Sequence, residues 1–216
     1  LSFYPFVFLL LVYLPIESLQ RIVRWSMLFS AVHVAVICAV LLLPISRWPD
    51  VPLAGKKARH YYGHIVMAFH GDEIYQRLTD FGDRYVLATP GYSTASLMAY
   101  HSGRHFVVFA DDGRSGRNDD KVTDFRTLDG RDFLVLSNRR FKQRTIDEYQ
   151  AYFTRFGVET LKIKGAQYWL ASGIGFRFEQ YRKRHLAKIL KDCYDIPDDL
   201  PVGDCFFYER YFPRYR

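Results

Sequence analysis

The chain has 216 residues, a net charge of +7 and a mean hydropathy of −0.14, values that average two unlike parts. Residues 1–46 carry three charged side chains, Glu17, Arg21 and Arg24, while the remainder holds 28 Lys+Arg against 22 Asp+Glu. That excess is mild and mixed in sign, and no stretch interleaves dense Lys/Arg with aromatics, which argues against a nucleic-acid partner.

Leu1–Ile16 is an apolar run of 16 residues, short of the roughly 20 that cross a hydrocarbon core. It has neither a basic n-region nor an A-x-A-like site, so it reads as the remainder of a span in a longer protein rather than a signal peptide. Ser26–Ile45 supplies twenty residues without a formal charge, flanked by Trp25 and Trp48, where indole rings favour the two interfaces. The link Glu17–Arg24 is too short to hold a domain, so residues 1–46 are expected to form a transmembrane helical hairpin. His33 in the second span is expected to bond to a neighbouring helix. Arg47, Lys56, Lys57 and Arg59 outnumber Arg21 and Arg24, a count that places the following domain on the cytoplasmic side.

Residues 47–59 read as a Pro/Gly-bearing linker, and 60–216 as a soluble α/β domain. Gly71-Asp72-Glu73 opens a helix with Ile74, Tyr75, Leu78 and Phe81 on one face. Tyr85–Thr89 is a strand, Ser93 caps a helix that Gly103 ends, and His105–Ala110 is the next strand, together a β-α-β crossover. Residues 111–131 are polar. Asp132–Ser137 is a third strand, and Thr145 and Glu148 form a capping box opening a helix that runs to Gly157. Val158–Ile163 and Tyr168–Ser172 form an antiparallel hairpin at a sheet edge around Lys164-Gly165. Phe178–Cys193 is the last helix, with Tyr181, Leu186, Ile189 and Leu190 inward. The expected fold is α/β: two N-terminal transmembrane helices, then a small layered, Rossmann-like domain with a mostly parallel sheet and an edge hairpin.

Gly91-Tyr92-Ser93-Thr94-Ala95 between a strand and a helix has the setting of a hydrolase nucleophile elbow. Its last glycine is replaced by alanine and no His or Asp is tied to Ser93 by spacing, so a helix-capping serine is the plainer reading. Asp119 and Asp120 invite a divalent cation, but EF-hand spacing is missing and Arg114 and Arg117 compete for the carboxylates. Ser172-Gly173-Ile174-Gly175 lacks the rest of a dinucleotide fingerprint, and no cofactor or metal is expected. Cys193 and Cys205 form a disulfide in an oxidising compartment and stay reduced in the cytoplasm; spacing does not choose. The aromatic tail Cys205–Pro213 either docks on lipid or a partner helix, or packs back on its own domain.

Several strings carry a resemblance: Ala88-Thr89-Pro90-Gly91-Tyr92-Ser93, Tyr100-His101-Ser102-Gly103-Arg104, Asp119-Asp120, Thr123-Asp124-Phe125-Arg126 and Asp129-Gly130-Arg131. Leu200-Pro201-Val202-Gly203, Cys205 and Glu209-Arg210-Tyr211-Phe212-Pro213 extend it. Together with the preceding spans, they resemble the C-terminal region of bacterial membrane glycosyltransferases. The family is that of the dolichyl-phosphate-mannose protein mannosyltransferases and lipid A aminoarabinose transferases. The resemblance implies a multi-spanning inner-membrane enzyme that transfers a sugar from a polyprenyl-phosphate donor to a lipid, glycan or protein acceptor. It also implies a periplasmic C-terminal domain, against the local charge count, and there a Cys193–Cys205 disulfide becomes plausible. The family's catalytic acid lies in an early periplasmic loop to which nothing in residues 1–216 corresponds, so no catalytic residue carries over. Asp124 and Arg126 are expected to hold the acidic loop by an internal ion pair. The alternatives are a membrane-anchored, non-catalytic glycan- or protein-binding module and a membrane-tethered serine hydrolase using Ser93.

Overall fold

The structure is a computed structural model that describes residues 13–42, 55–110, 119–194 and 205–213, without the side chains of 40–41, 55–60, 119–120 and 193. Residues 1–48 and 49–216 form two separate compact units.

The described residues of the first unit hold one helix, α1 (Ile16–Leu42). No Pro or Gly interrupts it. Pro15 immediately precedes it, with the Pro15 carbonyl accepting from Leu19 N at 3.0 Å, and Glu17 complements the positive end of the helix dipole. Its segment Ile16–Ala39 is long and apolar enough to cross a membrane, with none of its most apolar stretch buried. Glu17–Arg24 is therefore not the turn of a hairpin but the first two turns of this helix. The described residues contain one membrane-crossing candidate instead of the two expected, and the apolar run before residue 13 lies outside them.

The second unit begins with α2 (Gly55–Thr79), which takes in the end of the expected linker. It kinks at His70 (φ −134°, ψ 31°), so the start expected at Gly71 is a bend inside a longer helix. Then follow β1 (Val86–Thr89), α3 (Tyr92–Ser102), β2 (Val107–Val108), α4 (Asp119–Val122) and a 3-10 turn at Phe125–Leu128. β3 (Phe133–Ser137), α5 (Gln143–Tyr152), β4 (Phe153–Ile163) and β5 (Ala166–Phe176) complete the sheet. The last helical stretch is α6 (Phe178–Tyr181), a π turn at Arg182–Leu186 and α7 (Ala187–Cys193); α8 (Phe206–Tyr211) lies in the tail.

The five strands are ordered β2-β1-β3-β5-β4. β1 pairs in parallel with both β2 and β3, whereas β5 is antiparallel to β3 and β4. The sheet is thus mixed rather than mostly parallel, because the β4–β5 hairpin inserts its second strand beside β3. The hairpin itself sits at the sheet edge as expected. Its two-residue loop has Lys164 at φ 48° and Gly165 at φ 81°, a type I′ geometry whose twist matches the flanking strands.

Every β3 residue is buried, so helices cover both faces of the sheet. On one face, where α2 packs on β5 and α3 on β1 and α2, Tyr62, Val66, Met67 and Met98 of the helices are buried, as are Leu134, Leu136, Tyr168 and Leu170 of the sheet. Tyr168 donates to Gly63 O at 2.7 Å, which ties α2 to β5. On the other face Phe109, Phe133, Phe153, Phe176, Tyr149, Tyr152 and Tyr181 form an aromatic cluster. The Phe109 and Tyr181 rings stack at 5.1 Å, a geometry worth about 0.5–1.5 kcal/mol beyond burial.

Three boundaries differ from the sequence reading. α5 ends at Tyr152 and β4 begins at Phe153, so Phe153, Phe156 and Gly157 belong to a strand paired with β5 and not to a helix. Lys142, not Thr145, is the N-cap of α5, and no capping box forms. Gly91, not Ser93, is the N-cap of α3; Gly103 ends that helix in the left-handed conformation, as expected. The tail packs back on its own domain, with Phe207, Tyr211 and Phe212 buried.

Candidate ligand-binding cleft

Chain connections define where a ligand fits. From β1 the chain crosses through α3 to β2 on one side; from β3 it crosses through α5 to β4 on the other. The two crossovers leave neighbouring strands in opposite directions, and the crevice outside the carboxyl ends of such strands is the standard ligand position in an open α/β sheet. A cavity of ≈ 580 Å³ lies there, within the roughly 300–1,000 Å³ of small-molecule sites.

The loop after β1 supplies Pro90, Gly91, Tyr92, Ser93 and Thr94, and the loop after β3 supplies Asn138, Arg139, Arg140, Phe141 and Lys142. Thr89 Oγ1 donates to Gly91 O at 2.9 Å and fixes the first turn. Ser137 Oγ accepts from Arg139 N at 3.1 Å and donates to Arg139 O at 2.8 Å, fixing the second. Both helices that leave these loops, α3 and α5, start without a side-chain cap, so their first amides lack an intrachain partner from a capping side chain.

Charge in the cleft is one-sided. Arg139, Arg140 and Lys142 line it and are exposed, and its single carboxylate, Glu148, is engaged by Arg144 Nε at 3.1 Å. Among the described residues Arg140 and Lys142 enter no ion pair. Asn138 Nδ2 is a buried donor with no hydrogen-bond partner among the described residues, an arrangement that costs about 1–3 kcal/mol if it stays unmet. Ala110, at the end of β2, also lines the cleft and holds φ at 56°, left-handed backbone that costs a non-glycine residue about 1–2 kcal/mol. Its amide donates to Tyr181 Oη at 3.2 Å.

Of the candidate functional residues read from sequence, Ser93 lines the cleft, together with Gly91, Tyr92 and Thr94 of the same string and Thr145 and Glu148 of the expected capping box. Ser93 is the second residue of α3 and has no positive φ, so the sharp strained turn of a nucleophile elbow is absent at this position. Asp124 and Arg126 lie at the 3-10 turn instead. Asp124 caps it by accepting from Arg126 N, and the two side chains pair at 2.7 Å. Arg126 beside it holds the Asp124 carboxyl below the usual carboxylate range, against the opposing effect of partial burial. Asp119 and Asp120 open α4, with side chains outside those described, and no group of His, Cys, Asp and Glu among the described residues is arranged to hold a metal. Cys205 is half-buried at the N-cap of α8 and enters no disulfide among the described residues; the Cys193 side chain lies outside them.

The sequence reading did not single out Asn138, Arg139, Arg140 and Lys142. Their signal was present: a basic run directly after a buried strand and before a helix, the mirror of the Pro90–Thr94 loop. No family model matches the chain, and no curated protein or solved structure matches it.

Proposed function

We propose that this chain serves in an integral-membrane glycosyltransferase that moves a sugar from a polyprenyl-phosphate donor to a lipid, glycan or protein acceptor. In this reading the α/β domain binds part of the acceptor in the β1/β3 cleft and faces the periplasm. The observation that carries it is the cleft itself, in a chain that also holds a segment long and apolar enough for a membrane. In this reading the cleft binds rather than reacts: its one carboxylate, Glu148, pairs with Arg144 on an exposed helix face, and no second carboxylate among the described residues lines the cleft to act with it as base or electrostatic partner. Chemistry would therefore lie with residues elsewhere in the enzyme.

Saturation-transfer NMR on the detergent-solubilised chain, with a panel of neutral and phosphorylated oligosaccharides, tests this. Transfer that disappears in Ser93→Trp, with the fold retained, supports the reading; no transfer from any member of the panel overturns it. The serine-hydrolase alternative loses ground to the relaxed helical backbone at Ser93, and labelling of that serine by a fluorophosphonate would restore it.

A further inference from the structure

We infer that the group the cleft recognises on its ligand is a phosphate monoester. This rests on the reading of the cleft as a binding site and specifies its chemistry. Three observations converge. Arg140 and Lys142 present cationic groups that no described carboxylate neutralises. Two helices of 11 and 10 residues, α3 and α5, begin at this cavity without side-chain caps, so their amides and dipoles favour an anion at the same place. Ser93 and Thr94 add hydroxyl donors on the α3 side.

A carboxylate would also be attracted, but it brings a single charge to a site that offers the two cations of Arg140 and Lys142 and two uncapped helix N-termini. A phosphate monoester, with three terminal oxygens and close to two charges, satisfies them together. The remaining volume, bounded by Phe141 and Tyr149, leaves room for an apolar or ring-shaped remainder of the ligand. A dinucleotide is not indicated, since the loop after β1 is Pro90-Gly91-Tyr92-Ser93-Thr94 and has no second or third glycine.

The test uses the 216-residue chain in detergent micelles, with calorimetric titration of phenyl phosphate and observation of the Ser93 and Thr94 amides by NMR. Saturable binding is expected, weakened about tenfold or more in Arg140→Gln/Lys142→Gln. It should also weaken as pH falls through about 6, where the phosphate takes up its second proton. Ser93→Glu is the decisive variant. An acidic residue in the first turn of α3 should keep or raise the melting temperature, while its charge occupies the site and abolishes phenyl phosphate binding. If Ser93→Glu and the double variant both bind phenyl phosphate like the parent, the inference is wrong. If phenyl phosphate fails but a neutral methyl glycoside shifts the same amides, the phosphate assignment falls and the binding cleft stands. If neither shifts them, both fall. Geranylgeranyl phosphate in the same micelles separates the sources: tighter binding than phenyl phosphate assigns a lipid headgroup, equal binding a water-soluble ester.

Discussion

Asp124 grips Arg126 through three side-chain hydrogen bonds, with Nε at 3.0 Å and 3.2 Å and Nη2 at 2.7 Å from its carboxylate oxygens. The same carboxylate caps the 3-10 turn that carries the buried Phe125. Its folded-state pKa is lowered, so the stability it contributes is present above the unfolded value, about 3.9, and is lost as pH falls below that. Asp124→Asn should therefore lower stability by about 1 kcal/mol at pH 7. Melting curves of parent and variant should keep a constant gap down to about pH 4 and close it as pH falls further. A gap that stays constant below that as well would mean the carboxylate's charge is irrelevant.

Tyr211 of α8 closes a second contact with the same turn. Its hydroxyl donates to Thr123 O at 3.1 Å and accepts from Phe125 N at 3.3 Å, and burial pushes the phenol's pKa up. Tyr211→Phe leaves the ring in place and strips Phe125 N of that partner, so a loss of about 1–3 kcal/mol is expected in denaturant titration.

Gly173 has no room for a side chain. A Cβ there would stand 2.5 Å from Phe153 Cγ, and Phe153 is itself buried in the aromatic cluster. Gly173→Ala should destabilise by about 1–3 kcal/mol through overpacking, and Gly173→Ala/Phe153→Leu should recover part of it. Additive losses in the double variant would count against this contact.

The β4–β5 turn makes an opposite prediction. Lys164 occupies a left-handed position at φ 48°, and its ammonium reaches Glu73 across an exposed 3.2 Å pair that is worth little. Lys164→Asn relieves the backbone and should raise stability by about 0.5–1 kcal/mol. Gly165→Val, at φ 81°, should lower it by at least as much.

For the membrane segment, Val34→Arg places a charge in the middle of α1, where insertion costs about 2.5–3.5 kcal/mol. Less of the chain should sediment with membranes after carbonate extraction. Alkaline phosphatase fused after Arg216 tests the proposed periplasmic side: an active fusion supports it, and an inactive but well-expressed one reverses it.

The parallel β1–α3–β2 unit, the edge hairpin and the inward face of the last helix were legible because each is announced locally, by an apolar strand followed by Pro90-Gly91, by Lys164-Gly165, and by Tyr181, Leu186 and Ile189. The start of β4 was not. Phe153 and Phe156 are spaced three apart and fit a helix as well as a strand, and only pairing with β5 decides the matter. The mixed sheet was hidden for the same reason, since which strand β5 would join is a long-range choice. The cleft was half legible. Its Ser93 side was read as a cap, but the Arg139–Lys142 side acquires meaning only when β3 lies beside β1.

The placement of α8 has a consequence for how the domain is made. Phe207, Tyr211 and Phe212 fill the core that Phe125 and Tyr181 begin, yet they follow every described strand by about thirty residues or more. At roughly 5–20 residues per second of synthesis, the aromatic cluster waits one or more seconds for its last wall. During that interval it presents bare rings to chaperones, or to neighbouring chains. A nascent chain stalled before residue 205 should be held by such helpers, and release should coincide with emergence of the tail.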